Sequence, residues 1–286
     1  MIQIRKIFTE RELSYIRNNY QDKTYPEITV ELNKFNDIKK DSKQVRTKAS
    51  QLGLSKQKYH YNRGYFKTID TEDKAYWLGF IYADGNVSNS KHKDKITGAE
   101  VCIKLHGKDA GHLKKFIRCL KPADKSLQVT YDVAKDRYIK GVFVKGGAPV
   151  AMVRLYSTEM FNDLVSLDLV PNKTYSSEFP KVEDDVLFIH FLRGFLDGDG
   201  HIAKDTMYFM NNNKDMLHYI KYRLEEMGFI TGNLFSDGET RNRLYFSGDN
   251  RRGLLHLLYH DSNMYLDRKY KTYKKYTKHG SNPVAT

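Results

Sequence analysis

Two nine-residue stretches of this chain nearly repeat each other. Residues 77–85 read W-L-G-F-I-Y-A-D-G and residues 192–200 read L-R-G-F-L-D-G-D-G. Each is an apolar run with small residues four apart, closed by Asp-Gly. The two acids, Asp84 and Asp199, stand 115 positions apart. A chain that carries such an element twice is expected to fold as two half-domains meeting at a shared acidic site. Read as helices, Gly79 and Ala83 share one face, as do Gly194 and Gly198. Small residues at i and i+4 let two helix backbones approach closely. Gly85 and Gly200 suit the left-handed position just past a helix end. Asp84 and Asp199 then sit at helix C-termini, where the macrodipole disfavours negative charge. Two acids placed there, close together, call for a compensating cation, and Mg2+ held by carboxylate, carbonyl and water fits. A calcium loop does not fit: counting Asp197 as the first residue, the twelfth is Tyr208 rather than Glu.

The charge distribution points to a partner. The 286 residues hold 48 Lys+Arg against 35 Asp+Glu, a formal +13. Residues 1–66 carry net +7 and residues 251–279 net +6, so the middle is neutral. Basic ends around a neutral core suit a clamp on a long polyanion. No run approaches the ~18 apolar residues of a membrane span. No signal-peptide pattern opens the chain, and two cysteines, Cys102 and Cys119, make neither a disulfide framework nor a zinc site. The expectation is a reduced, cytoplasmic protein.

The first 55 residues read as a separate unit of three helices. Thr9-x-x-Glu12 and Thr24-x-x-Glu27 are capping boxes, with Leu13, Ile16, Ile28 and Leu32 inward and Pro26 in a first turn. Asp41-Ser42 can cap a third helix running to Gly53, with Val45, Ala49 and Leu52 as its buried stripe. Lys43, Arg46, Thr47, Lys48 and Ser50 remain on exposed faces. Residues 55–71 read as a basic, aromatic linker whose Lys56, Lys58 and Arg63 can track phosphates.

The paired segments resemble the signature helices of the LAGLIDADG homing endonucleases, in the single-chain form with two motifs. The second copy matches closely; the first has Trp77 and Tyr82 at variant positions but keeps Gly79, Asp84 and Gly85. The resemblance covers roughly residues 72–279. The three N-terminal helices resemble a Myb-like helix-turn-helix, with Phe8 where such domains usually have their first tryptophan. Further repeat echoes support two halves. Lys108-Asp109 with His112 parallels Lys214-Asp215 with His218, an offset of 106. The smaller offset implies extra residues in the first half, assigned to a polar turn over 88–98. Leu169–Lys173 parallels Tyr265–Lys269.

The resemblance implies an α+β fold: two pseudo-symmetric αββαββα halves whose sheets form a DNA-binding saddle, preceded by the small all-α domain. The expected division is 1–55 helix-turn-helix, 56–71 linker, 72–171 first half, 172–186 inter-half linker, 187–279 second half and 280–286 tail. It implies divalent metal, Mg2+ or Mn2+, on Asp84 and Asp199 with the carbonyls of Ala83 and Gly198. It also implies basic residues beside the site, for which Lys173, Lys269 and Arg154 are the candidates. The partner is double-stranded DNA, and the protein is a monomer with internal pseudo-twofold symmetry. The origin is bacterial or phage, with an organellar source as the alternative.

Period-2 alternation marks strands. Val101, Ile103 and Leu105 alternate with Cys102, Lys104 and His106; Val129, Tyr131 and Val133 with Gln128, Thr130 and Asp132; Ala151, Val153 and Leu155 with Met152, Arg154 and Tyr156. In the second half Leu244 and Phe246 alternate with Arg243 and Tyr245. The polar faces, with His201 and Arg241, are the candidates for reading base edges in a major groove. The expected activity is metal-dependent, site-specific cleavage of double-stranded DNA. The alternatives are a DNA-binding regulator without cleavage and an RNA maturase that assists intron splicing.

Overall fold

The computed structural model describes residues 8–277 apart from 21–22, 36–37, 55–60, 93–94, 124–126, 134–135, 140–141, 174–175, 177, 230–231 and 237–240. Two compact units divide the chain, 1–60 and 61–286.

The first unit contains helices α1 (Glu10–Asn19), α2 (Tyr25–Lys34) and α3 (Ser42–Gln51). All three open with reciprocal caps: Thr9 with Glu12, Thr24 with Glu27, and Asp41 with Gln44. Ile16, Ile28, Leu32, Val45 and Ala49 form its core, and Phe8 packs against them. Leu13 and Leu52, expected inward, are only half-buried. The space on α1 goes instead to Glu12, which pairs with Lys40 at 3.4 Å, both side chains almost fully buried. An ion pair of this kind needs each charge to keep its partner.

The second unit begins earlier than the sequence suggests. Residues 61–66 are folded rather than a tether: Tyr61, Tyr65 and Phe66 are buried, and Asn62 N donates to Leu120 O at 2.9 Å. Apolar rings at a linker's end are explained by a core within reach, here Phe116 against Tyr65 and Phe66.

The first half runs α4 (Glu72–Asp84), β1 (Gly85–His92), β2 (Lys95–His106), a 3-10 turn (Gly107–Asp109), α5 (Ala110–Cys119), β3 (Thr130–Asp132), β4 (Arg137–Ile139), β5 (Val142–Val144), β6 (Val150–Tyr156) and α6 (Thr158–Ser166). The second runs α7 (Asp185–Asp199), β7 (Gly200–Ile202), β8 (Thr206–Asn211), α8 (Lys214–Glu226), β9 (Leu234–Ser236), β10 (Asn242–Ser247) and α9 (Gly248–Tyr259), followed by α10 (Asp267–Thr277). Each half builds an antiparallel four-stranded sheet of matching order, β1-β2-β6-β3 and β7-β8-β10-β9. The α+β expectation holds. The β4–β5 ribbon stands apart as a separate two-stranded sheet. The inter-half segment is docked on α8, where Val182 N and O both bond Tyr219 Oη at 3.1 and 3.0 Å.

Three sequence readings need correction. Residues 88–98 are not a turn: Ser88 to Ser90 pair with Glu100 to Gly98, and the extra length makes a longer hairpin. The α5/α8 offset is 104, not 106. Helix N-caps Asp109 and Asn213 correspond, and so do the buried positions Leu113 and Leu217, and Phe116 and Ile220. His112 is therefore buried while His218 is exposed. Tyr131 and Val133, expected to face a core, are 57% and 54% exposed, because β3 is a three-residue edge strand paired only with β6. In the other strands Val101, Ile103, Leu105, Ala151, Val153, Leu155, Leu244 and Phe246 are buried as expected, but Cys102 and Met152, expected on the exposed face, are buried as well.

Candidate active site

Helices α4 and α7 cross at their glycines. A Cβ on Gly79 would lie 2.9 Å from the Phe191 carbonyl carbon, and one on Gly194 would lie 2.9 Å from both Tyr76 C and Phe80 N. Both distances are inside van der Waals contact, so the backbones meet where no side chain fits. One turn further on, Gly198 faces Ala83, and a Cβ there would stand 3.5 Å from the Asp84 carboxyl carbon. This contact brings the two aspartate-bearing helix ends together.

Gly85 and Gly200 are not left-handed. Their φ/ψ values are −84/163 and −95/172, extended, and each opens a strand directly. Glycine is required for another reason: a Cβ would meet Ile81 O at 2.6 Å in one case and Leu196 O at 2.6 Å in the other. The chain turns back over its own last helical turn, and only a residue without a side chain clears it.

Each helix end holds a lysine. Lys173 Nζ donates to Ile81 O at 2.8 Å and Ala83 O at 2.9 Å, and also to Tyr82 O. Lys269 Nζ donates to Leu196 O at 2.9 Å and also to Gly200 O. Ile81 and Leu196 are equivalent positions, so the two lysines are pseudo-symmetric, as the Leu169–Lys173 and Tyr265–Lys269 parallel predicts. They add a second donor to carbonyls that already accept from Gly85 N and Gly200 N, and place positive charge at the negative end of the dipole. Burial pulls both ammonium groups down to about 8, against the pull of the aspartates.

The acids show the opposite shift. Burial, then Asp84, push Asp199 up to about 6, with Lys173 and Lys269 opposing. Asp84 is also raised by burial, opposed by Lys173, Lys269 and Arg268. A cavity of about 220 Å³ opens beside Asp199, lined by Tyr82, Ala83, Lys173, Asp199, Met210, Asn211 and Asn212.

The donor set suits a hard divalent ion. Asp84 and Asp199 offer carboxylate oxygens at helix ends that close on each other because Gly198 has no side chain, and Gly198 offers a carbonyl. Among the described residues no group of three or more His, Cys, Asp or Glu could hold a metal. An ion here would thus take its remaining ligands from water or substrate, as Mg2+ commonly does. The Ala83 carbonyl already accepts from Lys173, so it is not a vacant ligand.

The other candidates divide. Arg154 is not at the aspartates: its guanidinium forks onto Glu100 of the neighbouring strand at 2.9 and 3.2 Å. Lys104, His106, Gln128, Thr130, His201 and Arg241 are exposed, and Arg243 and Tyr245 half-buried. His106 caps the following turn by accepting from Lys108 N at 3.1 Å. Lys43, Arg46, Thr47 and Ser50 are exposed on α3, whereas Lys48 is half-buried and lies over the Phe8 ring. Arg63 is half-buried with its Nε enclosed. Lys56 and Lys58 lie outside the described residues.

Sequence reasoning missed three features. Arg268, half-exposed, reaches Asp109 at 3.0 Å and acts on Asp84. On the outer face of the second sheet, rings of His201, Tyr208, Tyr245 and Phe235 follow one another at 5.0–5.3 Å. Asp197 is fully buried and accepts from Tyr76 Oη at 2.7 Å, Tyr259 Oη at 2.5 Å and Leu266 N at 2.7 Å. His112 completes this network 3.0 Å from Tyr76 Oη. The D-G-D-G signal marked Asp197 only as a loop acid; its buried partners lie 121 and 62 residues away.

Residues 189–260 match the family model of the LAGLIDADG-like domain. No curated relative matches by sequence. The fold is similar to that of the homing endonuclease I-DmoI, solved in complex with DNA and calcium, with 16% identity and a TM-score of 0.50 over 75% of this chain and 99% of that one. Meganuclease I-AabMI, bound to uncleaved DNA, gives 14% identity and a TM-score of 0.45 over 70% and 87% of the two chains. No described helix is long and apolar enough to cross a membrane. With its repeated sheets and glycine-locked acidic helices, the chain contains a LAGLIDADG-like domain and has the two-motif LAGLIDADG fold.

Proposed function

We propose that the protein is a site-specific double-strand DNA endonuclease of the homing type, dependent on Mg2+ or Mn2+, acting as one chain on a long target that need not be palindromic. The observation that carries this reading is the pairing of Asp84 and Asp199 at helix ends that meet at Gly198 and Ala83, each end held by a lysine. Phosphodiester hydrolysis requires an activated water, neutralised phosphate charge and a stabilised leaving oxygen, and a divalent ion supplies these. Asp84 and Asp199 would hold and orient the ion. Lys173 and Lys269, charged below pH ~8, fix the helix ends that carry the acids and place positive potential beside the phosphate. The two sheets supply the base-reading surface, and because their outer faces differ, the two half-sites need not match. The first unit supplies a further, sequence-adjacent DNA contact through α3. The protein acts in the cytoplasm of a bacterial or phage-infected cell.

The test is incubation with MgCl2 and a library of duplexes spanning candidate uninterrupted host genes. Breaks in both strands at one position are expected, and Asp84→Asn should abolish them. Specific retention of one duplex without cleavage in either Mg2+ or Mn2+ would replace this reading with that of a DNA-binding regulator.

A further inference from the structure

Among the described residues the β4–β5 ribbon has no counterpart in the second half. The β3–β6 connection spans residues 133–149, whereas the equivalent β9–β10 connection spans only 237–241. Asp136 Oδ1 accepts from Gly146 N at 2.6 Å and closes the ribbon's base. Beyond that point Tyr138, Val142 and Phe143 are turned to solvent. Tyr138 is 75% exposed, Val142 65% and Phe143 53%. Tyr138 and Phe143 are direct cross-strand partners with ring centroids 5.4 Å apart, edge to face. Large apolar side chains held in order and left open to water mark a contact surface. A two-stranded ribbon that buries none of them gains little for its own stability.

The charge in the ribbon's sequence says what covers them. Residues 135–145 hold Lys135, Arg137, Lys140 and Lys145 against Asp136 alone. Aromatic rings interleaved with cations suit a nucleic acid: phosphates meet the cations, and bases or sugars meet the rings. An apolar protein surface or a second copy of this basic chain would have to accept that excess positive charge.

Position agrees. β1 leaves Asp84 at Gly85, which pairs with Ile103, and β2 ends three residues on at His106. His106 pairs with Val150, and Val150 pairs with Asp132, so the ribbon leaves the sheet at its end nearest the aspartates. It leaves from β3, the edge strand farthest from β1. An edge beside a sheet seated in a major groove faces the backbone and the next minor groove. Apolar wedges inserted there part base steps and bend the duplex.

We propose that the β4–β5 ribbon is a DNA-binding arm, in which Tyr138 and Phe143 pack into the minor groove beside the first half's sheet, with no equivalent on the second side. The proposal rests on the endonuclease reading and deepens it. The arm adds affinity and distorts the duplex on one side of the cleavage point.

The test compares wild type with Tyr138→Ser/Phe143→Ser and, separately, Lys140→Gln/Lys145→Gln, on the duplex recovered in the cleavage selection. The aromatic variant should bind about tenfold more weakly, the loss expected for one stacked base. It should lose footprint protection on one side of the cut only. It should also lose the fluorescence rise of 2-aminopurine placed at that flank. The lysine variant should weaken binding and lower the salt slope while keeping the 2-aminopurine signal. Thermal midpoints equal to wild type would show that both variants are folded. Wild-type affinity and footprint in the aromatic variant would overturn the proposal. So would a wild-type dimer that the aromatic variant dissolves, which would make the ribbon a self-interface. A wild type that retains no duplex at all would overturn the endonuclease reading as well, and is distinguishable because the variants then play no part in the result.

Discussion

Lys269 Nζ donates to the Leu196 carbonyl at 2.9 Å, at the last turn of the helix that carries Asp199. Lys173 does the same for Ile81 on the helix that carries Asp84. The acids, the dipole's negative end and the lysines therefore form one electrostatic unit in duplicate. Removing one lysine takes a donor from the carbonyls at its helix end and a cation from beside both acids. Lys173→Met or Lys269→Met should lower the unfolding free energy by about 1–3 kcal/mol. Cleavage should fall more than DNA binding, checked by gel shift and cleavage on one duplex.

Asp84→Asn or Asp199→Asn should abolish double-strand cleavage and leave specific binding nearly intact. The motivation is their joint position at helix ends that meet at Gly198. Unchanged cleavage in either variant would remove that aspartate from the mechanism. Nicking of one strand would instead assign the two acids to different strands.

The raised carboxyl of Asp199 makes stability depend on pH. Its folded value is about 6 against an ordinary 3.8, so the folded state holds the proton more tightly between these values. Stability from this group is present below pH ~4, declines as pH rises toward 6, and is fully lost above, a difference of about 3 kcal/mol at most. Asp199→Asn should therefore raise the metal-free melting temperature at pH 8 and change it little at pH 4. Mg2+ should stabilise the wild type at pH 8 and not the variant, read by thermal denaturation. A wild-type melting temperature that rises steadily from pH 4 to pH 7 in metal-free buffer would contradict the burial-driven shift.

Gly194→Leu should destabilise the protein severely, because even a Cβ there runs into Tyr76 and Phe80. Overpacking a core costs ~1–3 kcal/mol or more. Gly198→Ala is the more informative change. Its methyl meets Ala83 and touches the Asp84 carboxyl, so activity should drop further than stability, measured by denaturant midpoint against cleavage rate.

Deleting residues 1–60 should leave a folded second unit, since the chain divides there. The exposed Lys43, Arg46, Thr47 and Ser50 of α3 motivate a role beside the cleavage site. Binding should weaken, the footprint should shorten on one side, and the log–log salt slope should fall by about 0.9 per lost phosphate contact. An unchanged footprint and slope would make the unit a packing module.

Much of this site is legible in the sequence because it is repeated. Small residues four apart fix a helix crossing, and the parallel of Leu169–Lys173 with Tyr265–Lys269 marks the two lysines that reach the equivalent carbonyls of Ile81 and Leu196. The parts that escape depend on contacts the local pattern does not record. Extended φ/ψ at Gly85 and Gly200 follows from the strand that starts there, not from the helix that ends. The exposure of Tyr131 follows from β3 being an edge. The burial of Tyr65 and Phe66 follows from Phe116, some fifty positions away. Asp197 is an acid within an apolar helix, and only its three donors, gathered from α4, α9 and the loop before α10, account for it.

The Asp197 network also makes the two halves depend on each other. Position 76, which donates to Asp197, corresponds to Phe191 in the other half, and position 197 corresponds to Tyr82. Two copies of the second half assembled as a twin would bury two carboxylates, each facing a phenyl ring in place of a hydroxyl. Two copies of the first half would have hydroxyls and no carboxylate to receive them. Whatever symmetric ancestor the repeat implies, the halves now complete each other's interior. Exchanging one half with that of a relative would require carrying over this hydrogen-bonding lock along with the glycines.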